Sequence, residues 1–252
     1  MVGLNATDLA TSSPVEYYHS ADINAAGVAS RQFITQAWCE FIAEATVDDH
    51  PKKHTVQQAV ESARVIASGK ALPVLVAVLA DAQCFHVACA NACNALSHLV
   101  RLAPGETRKF TSQIVQAALQ TMRTFPDFQR VQAMASSLLG NLMAGHCEPR
   151  GSSRTQHSVF ISSGADLILK ALQAHPQSAR VQGLGFHALW WLSYHVAAAK
   201  HMVRAGAIIL GESALARFSA DASMGVKIDT YVGGFLSQIK MCQRAMQMDG
   251  DL

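Results

Sequence analysis

Charge is the scarcest ingredient of this sequence: Asp, Glu, Lys and Arg supply 15% of its 252 residues, against about 25% in an average soluble domain. Two surfaces account for so few solvating charges. One is an Ala/Ser/Gln-rich helical exterior; the other is a surface largely covered by other subunits. The charges nearly balance, at +2 and a pI near 8.2. Basic residues are scattered, with Lys52–Lys53 and Arg108–Lys109 the adjacent pairs. No electrostatic stripe results, so nucleic acid is not an expected partner.

Long apolar runs are missing too. The longest, "ALPVLVAVLA" (71–80), is half the ~20 residues of a membrane span, and no membrane insertion is expected. Six cysteines (39, 84, 89, 93, 147, 242) show no disulfide-framework spacing, which points to a reducing compartment. The N-terminus has no cationic start followed by an apolar stretch, and no Arg before Arg31. That reads as neither a secretory signal nor a mitochondrial presequence. The expectation is a soluble, cytoplasmic protein, with an organellar assembly left open.

Catalytic signatures are absent as well. Eleven histidines occur, none in an HExxH, nucleophile-elbow or Cys/His pattern. The acids stand singly apart from Asp48–Asp49, so no carboxylate pair suggests acid–base work. "CFHVACANACNALSH" gathers Cys84, His86, Cys89, Cys93 and His98. Zinc needs four converging ligands, but there is no C-x-x-C knuckle, and Cys93 lies between core positions Ala92 and Ala95. The cysteines read as small core residues. No metal, no cofactor and no enzymatic activity are expected.

What the chain does have is repetition. "FPDFQRVQAMASSLLGNL" (125–142) returns fifty residues on as "HPQSARVQGLGFHALWWL" (175–192). Met122, Pro126, Val131, Leu139 and Leu142 correspond to Leu172, Pro176, Val181, Leu189 and Leu192. A third copy lies 43 residues upstream: Leu72, Val76 and Leu79 answer to Val115, Leu119 and Met122, and Ala88, Ala92, Leu96 and Leu99 to Val131, Ala135, Leu139 and Leu142. Apolar spacings of four, seven, eight and eleven are helical and never alternate as strands do. Each unit reads as a first helix, a short break and a longer second helix; the break holds Pro near the start of the second helix in two copies and Asp-Ala-Gln (81–83) in the other.

Flanking fragments are weaker copies. "HPKKHTVQ" (50–57) precedes a helix expected over 55–67, and "FISSGADLIL" (160–169) resembles "MVRAGAIIL" (202–210). Residues 1–28 lack a periodic apolar face and read as an arm. The repeats span 29–243, with a loop insertion at 144–158 and a tail at 244–252. About five units result, each unable to bury its apolar face without its neighbours.

Ser163-Gly164-Ala165 before an apolar helix, "HPQSARVQ" and the closing "ALWWL" and "LLGNL" resemble the armadillo repeat family, in the broad sense that includes HEAT-type units. The resemblance covers about residues 50–240 and implies an all-α, right-handed superhelix. An armadillo unit has three helices. Residues 159–163 and 200–204 are candidates for the first, whereas the copy beginning near 107 has only "ETRKF" for it.

In that family the last helices of successive units line a concave groove, and an asparagine near the helix end holds a partner's backbone. The corresponding residues are His98, Asn141 and Trp191, so a full asparagine ladder is missing. The same off-core stripe comprises Asn91, Asn94, His98 and Arg101, then Met134, Ser137, Asn141 and Ala144, then Leu184, His187, Trp191 and Tyr194. It drifts from polar to aromatic, and exposed aromatics are typical binding anchors. Trp190 is expected to pack inward. Partner contacts are assigned to Asn94, His98, Arg101, Ser137, Asn141, His187, Trp191 and Tyr194. The expected function is a non-catalytic scaffold or adaptor binding a protein partner. The alternative is a subunit built permanently into a large assembly, for example mitochondrial or cytoskeletal/ciliary.

Overall fold

The computed structural model describes residues 63–65, 67–68, 71–80, 85–146, 154–218 and 228–248. Among them every regular element is helical and there is no strand. In order these are α1 (Ala71–Ala80), α2 (His86–Leu102), α3 (Pro104–Thr107), a 3-10 turn (Arg108–Phe110), α4 (Thr111–Thr124), α5 (Gln129–His146), α6 (Arg154–Ala174), α7 (Ala179–Leu192), α8 (Val196–Arg204), α9 (Ala207–Phe218) and α10 (Ile228–Met248). The chain divides into two compact units along its sequence, the first ending at Thr121 and the second beginning at Met122.

The helical period places the repeat's apolar positions in the cores. In the first unit α1 packs on α2, burying Leu72, Leu75 and Leu79 with Ala88, Ala92, Leu96 and Leu99. Val76, expected in that core, is half-exposed; Leu75 points inward instead. In the second unit Val131, Ala135, Leu139 and Leu142 of α5 are buried, as are Val181, Ala188, Leu189 and Leu192 of α7. Full burial of one such aliphatic side chain contributes about 1.5–3 kcal/mol. Here α5 packs on α7, α7 on α10, and α6 and α9 cover them.

The shared Pro and Gln of the two clearest copies have one physical cause. A helix carbonyl normally accepts from the N–H four residues later. For Met122 and Leu172 that residue is Pro126 or Pro176, which has no N–H to give. The Gln six residues after each proline supplies it. Gln132 Nε2 donates to Met122 O (3.0 Å) and Phe125 O (2.8 Å). Gln182 Nε2 donates to Leu172 O (2.8 Å) and His175 O (3.1 Å). Both amides are buried, and each spends its two N–H donors on the two carbonyls that close the preceding helix. The third copy has Gln83 in place of the proline and Cys89 in place of the glutamine; there Leu79 O accepts from Thr121 Oγ1 at 3.3 Å. Among these three copies, proline and glutamine come together or not at all.

Successive turns of the second unit are also tied. His175 Nε2 donates to Pro126 O at 2.8 Å, and Arg217 Nη1 to Pro176 O at 2.5 Å. Ser178 caps α7, its Oγ accepting from Val181 N.

Several expected boundaries move. Helix runs to His146 and resumes at Arg154, inside the loop expected at 144–158, and α10 continues to Met248, past the expected end at 243. Residues 159–163 belong to one continuous helix, α6, whereas 200–204 end a separate one, α8. The two related stretches part at their glycines. Gly164 lies within α6, but Gly206 adopts φ 75° in the turn between α8 and α9, a conformation costly for residues with a Cβ. Ahead of α4, "ETRKF" does form helical turns. The arm at 1–28, residues 55–62 of the helix expected over 55–67 and the break at 81–83 lie outside the described residues.

Candidate functional site

The candidate residues divide between the units. Asn94 and His98 are half-buried and Arg101 is exposed on α2 of the first unit. Ser137 and Asn141 on α5, His187 and Trp191 on α7, and Tyr194 just beyond α7 belong to the second. Two members of the wider stripe are corrected: Asn91 and Met134 are 3% and 4% exposed. They stand a turn nearer the helix starts, where the packed core reaches further round the helix. Tyr194 is not helical; α7 stops at Leu192, and Tyr194 stands 52% exposed in the following turn.

Within the second unit, α5, α7 and α10 lie side by side and approach closely. A Cβ at Gly140 would stand 2.9 Å from His187 Nδ1 and 3.1 Å from Ala188 Cα. One at Gly234 would meet three ring atoms of Trp190 at 2.8–2.9 Å. Trp190, expected to pack inward, therefore lies against the bare backbone of α10 and remains half-exposed. Its ring stacks on Trp191 (centroids 6.2 Å), and Trp191 in turn touches Tyr194 (6.0 Å). His187 faces Tyr231 of α10 at 4.7 Å. A row of aromatic rings thus crosses from α7 to α10.

Adjacent glycines of α10 should respond oppositely. A Cβ at Gly233 meets nothing within 4 Å, so Gly233→Ala should stabilise by up to ~1 kcal/mol through helix propensity. Gly234→Ala displaces the Trp190 indole and should destabilise by about 1 kcal/mol net. Urea midpoints of the two variants, read against the parent, check the sign reversal.

The indole N–H of Trp191 donates to His187 Nε2 at 3.1 Å. Nε2 can accept only if it carries no proton, so the ring proton of neutral His187 sits on Nδ1. That atom is buried without a hydrogen-bond partner. Burial lowers the His187 pKa from its ordinary value, because desolvation disfavours the cation. The unfolded chain then binds the extra proton more readily than the folded one. Stability from neutral His187 is complete above about pH 6.5 and declines as pH falls below that. Denaturation midpoints at pH 7.5 and 5.5 should separate more in the parent than in His187→Gln. Equal separation would dismiss His187 as the source.

Tyr231, Gln238 and Met241 on α10 extend the row; Tyr231 and Gln238 are half-buried and Met241 is 56% exposed. Sequence reasoning missed them, though a signal existed. Val181, Ala188, Leu189 and Leu192 correspond, 47 positions on, to Ile228, Phe235, Leu236 and Ile239, all buried. That register places Tyr231 at Leu184 and Gln238 at Trp191. The "GG" and the absence of proline hid it.

Cys89 and Cys93 are buried among the alanines of α2; Cys84 lies outside the described residues. No group of three or more His, Cys, Asp or Glu among the described residues is placed to hold a metal ion. None of the described helices is long and apolar enough to cross a membrane. No protein-family model, curated protein or solved structure matches this chain.

Proposed function

We propose that this chain is a non-catalytic scaffold that binds a protein partner along the faces of α5, α7 and α10, and that its units are those of an armadillo-like, right-handed solenoid. The order of short helix, second helix and long third helix supports the repeat reading: α8, α9 and α10 make one set, and the turns before α4, α4 itself and α5 make another. The identical glutamine bonds in two copies support it further. The observation that carries the functional reading is the half-exposed aromatic row of Trp190, Trp191, Tyr194 and Tyr231, continued on α5 by the amide of Asn141. A helix–helix core needs no such row on its outer face, whereas binding sites use large aromatic surfaces as anchors.

The test begins with affinity purification from the native organism and uses the partner it recovers. Trp191→Ala should weaken that partner by at least ~2 kcal/mol and Asn141→Ala by about 1 kcal/mol, both with unchanged helical circular dichroism. Should Trp191→Ala lower the melting temperature sharply and leave affinity per folded molecule unaltered, the aromatic row is packing and the reading fails. The low charge content favours a second reading, a subunit held permanently in an assembly. Aggregation of the chain purified alone supports that reading, and a stable monomer supports the adaptor.

A further inference from the structure

The Trp191 indole is held by its neighbours in two ways. Its ring touches those of Trp190 (centroids 6.2 Å) and Tyr194 (6.0 Å), contacts that tolerate a range of angles. Its one polar atom is fixed more narrowly. Nε1 donates to His187 Nε2, one turn earlier on α7, at 3.1 Å, and a hydrogen bond weakens steeply as it bends. An indole nitrogen only donates. The bond therefore exists only while His187 Nε2 carries no proton.

Protonation reverses this contact. The imidazolium carries an N–H on both nitrogens, so two donors would face each other. The imidazole has little room to turn away. A Cβ on Gly140 of α5 would stand 2.9 Å from Nδ1, and the Tyr231 ring of α10 faces the imidazole at 4.7 Å. Nδ1 is buried with no hydrogen-bond partner, so no acceptor among the described residues shares the new charge. Trp191 is half-exposed, and its indole is the group that can swing into solvent.

No ionised group holds the imidazolium in place instead. Burial, not a neighbouring charge, lowers the His187 pKa from its ordinary value. On α7 itself Arg180 stands seven residues earlier, about 10 Å along the helix, and on α5 Arg130 stands ten residues, about 15 Å, before Gly140. On α6 Asp166 is bonded to His201 of α8 and Lys170 is exposed. On α9 Glu212 pairs with Lys240 of α10, and Arg217 donates to Pro176 O. On α10 the exposed Asp229 is two residues from Tyr231 and so on another side of that helix; Arg244 lies about 20 Å beyond Tyr231.

We propose that His187 is a positioning residue for the Trp191 anchor: neutral, it holds the indole in the pose that a protein partner meets, and protonated, it releases the indole and weakens the partner's hold. This rests on the proposed role of the aromatic row in binding protein. Acidification thus switches the face, and it does so below about pH 6.5, since burial disfavours the cation.

Proton–nitrogen correlation spectra of the full chain between pH 7.5 and 4.5 test the first step, with the indole signal of Trp191 assigned by its loss in Trp191→Phe. That signal should move upfield in the parent with a midpoint below about pH 6.5. It should stay in place in His187→Gln, whose amide oxygen accepts the same bond without titrating. The second step uses the protein recovered on the parent by the affinity purification described above. Its affinity should fall about fivefold across the same midpoint, the worth of one hydrogen bond, and should not do so in His187→Gln. His187→Leu, which has no acceptor at any pH, should show the weaker affinity throughout. Far-ultraviolet circular dichroism establishes that the fold persists over the range. An indole signal that moves equally in His187→Gln, or not at all in the parent, overturns the proposal. A signal that moves as expected while affinity stays constant, in a chain whose binding Trp191→Ala still weakens, leaves the face in place and removes the switch. Binding that Trp191→Ala does not weaken removes the face, and the switch with it.

Discussion

Gln182→Ala should destabilise the second unit by about 2–4 kcal/mol. The substitution removes both donors from the carbonyls of Leu172 and His175, and a buried acceptor left unsatisfied costs about 1–3 kcal/mol. The two carbonyls are not equally exposed to this loss. His175 O retains the Ser178 N–H, whereas the helical donor to Leu172 O is the one that Pro176 lacks. A second substitution therefore tests the mechanism. Pro176→Ala in the Gln182→Ala background restores an N–H at position 176 and should return about 1 kcal/mol. Urea denaturation of the four members of this cycle, followed by far-ultraviolet circular dichroism, measures the coupling. A single variant within ~0.5 kcal/mol of the parent would mean that water replaces the amide without cost, and the account of the Pro–Gln pair would be withdrawn.

Gly140→Val should cost about 3 kcal/mol, near the upper end for overpacking. The Cβ alone would sit 3.1 Å from the backbone of Ala188, and backbone cannot rotate away as a side chain can, so α5 and α7 must part. A β-branched residue adds crowding within the helix. The change also presses on His187 Nδ1, 2.9 Å from that Cβ, and through His187 on the Trp191 indole. A lowered urea midpoint should therefore accompany a shifted tryptophan emission in the native baseline. By contrast, Gly185→Ala meets Leu172 Cδ2 first, at 2.7 Å, the far end of a side chain able to adjust, and should cost less. If Gly140→Val proves as stable as the parent, the close approach of α5 and α7 is not what holds this face together.

Such effects bear on the proposed function because core packing and the aromatic row share helices here. His187 is at once a neighbour of Gly140, the acceptor for Trp191 and a ring contact of Tyr231. Substitutions on the core side of α7 therefore carry through to the aromatic row. Comparing affinity per folded molecule, not total binding, separates the two roles.

The helical period by itself determined the all-helical class and one buried stripe on each of α2, α5 and α7. A spacing of three and four leaves one stripe of each helix apolar, and burying that stripe is the dominant favourable term. The repeat also determined where the chain turns before α5 and α7, because a proline beyond the first turn lacks the N–H that would continue the preceding helix. The stripe of α5 and α7 was legible for the same reason, since residues eleven apart share a face in any α-helix.

Other features were decided by the tertiary structure. Asn91 and Met134 obey the stripe's spacing but are buried, because spacing gives a residue's angle around its own helix and not the reach of the neighbours. Tyr194 leaves the helix one turn early because α7 ends at Leu192. Trp190 packs against α10 only because Gly234, 44 positions on, leaves room for an indole. The role of the Pro–Gln pair also depends on the tertiary structure. The sequence displays the two residues six apart, but which carbonyls Gln132 and Gln182 satisfy depends on how the second helix folds back on the first. Local periodicity is written in the chain, whereas contacts between helices depend on distances that no run of neighbouring residues encodes.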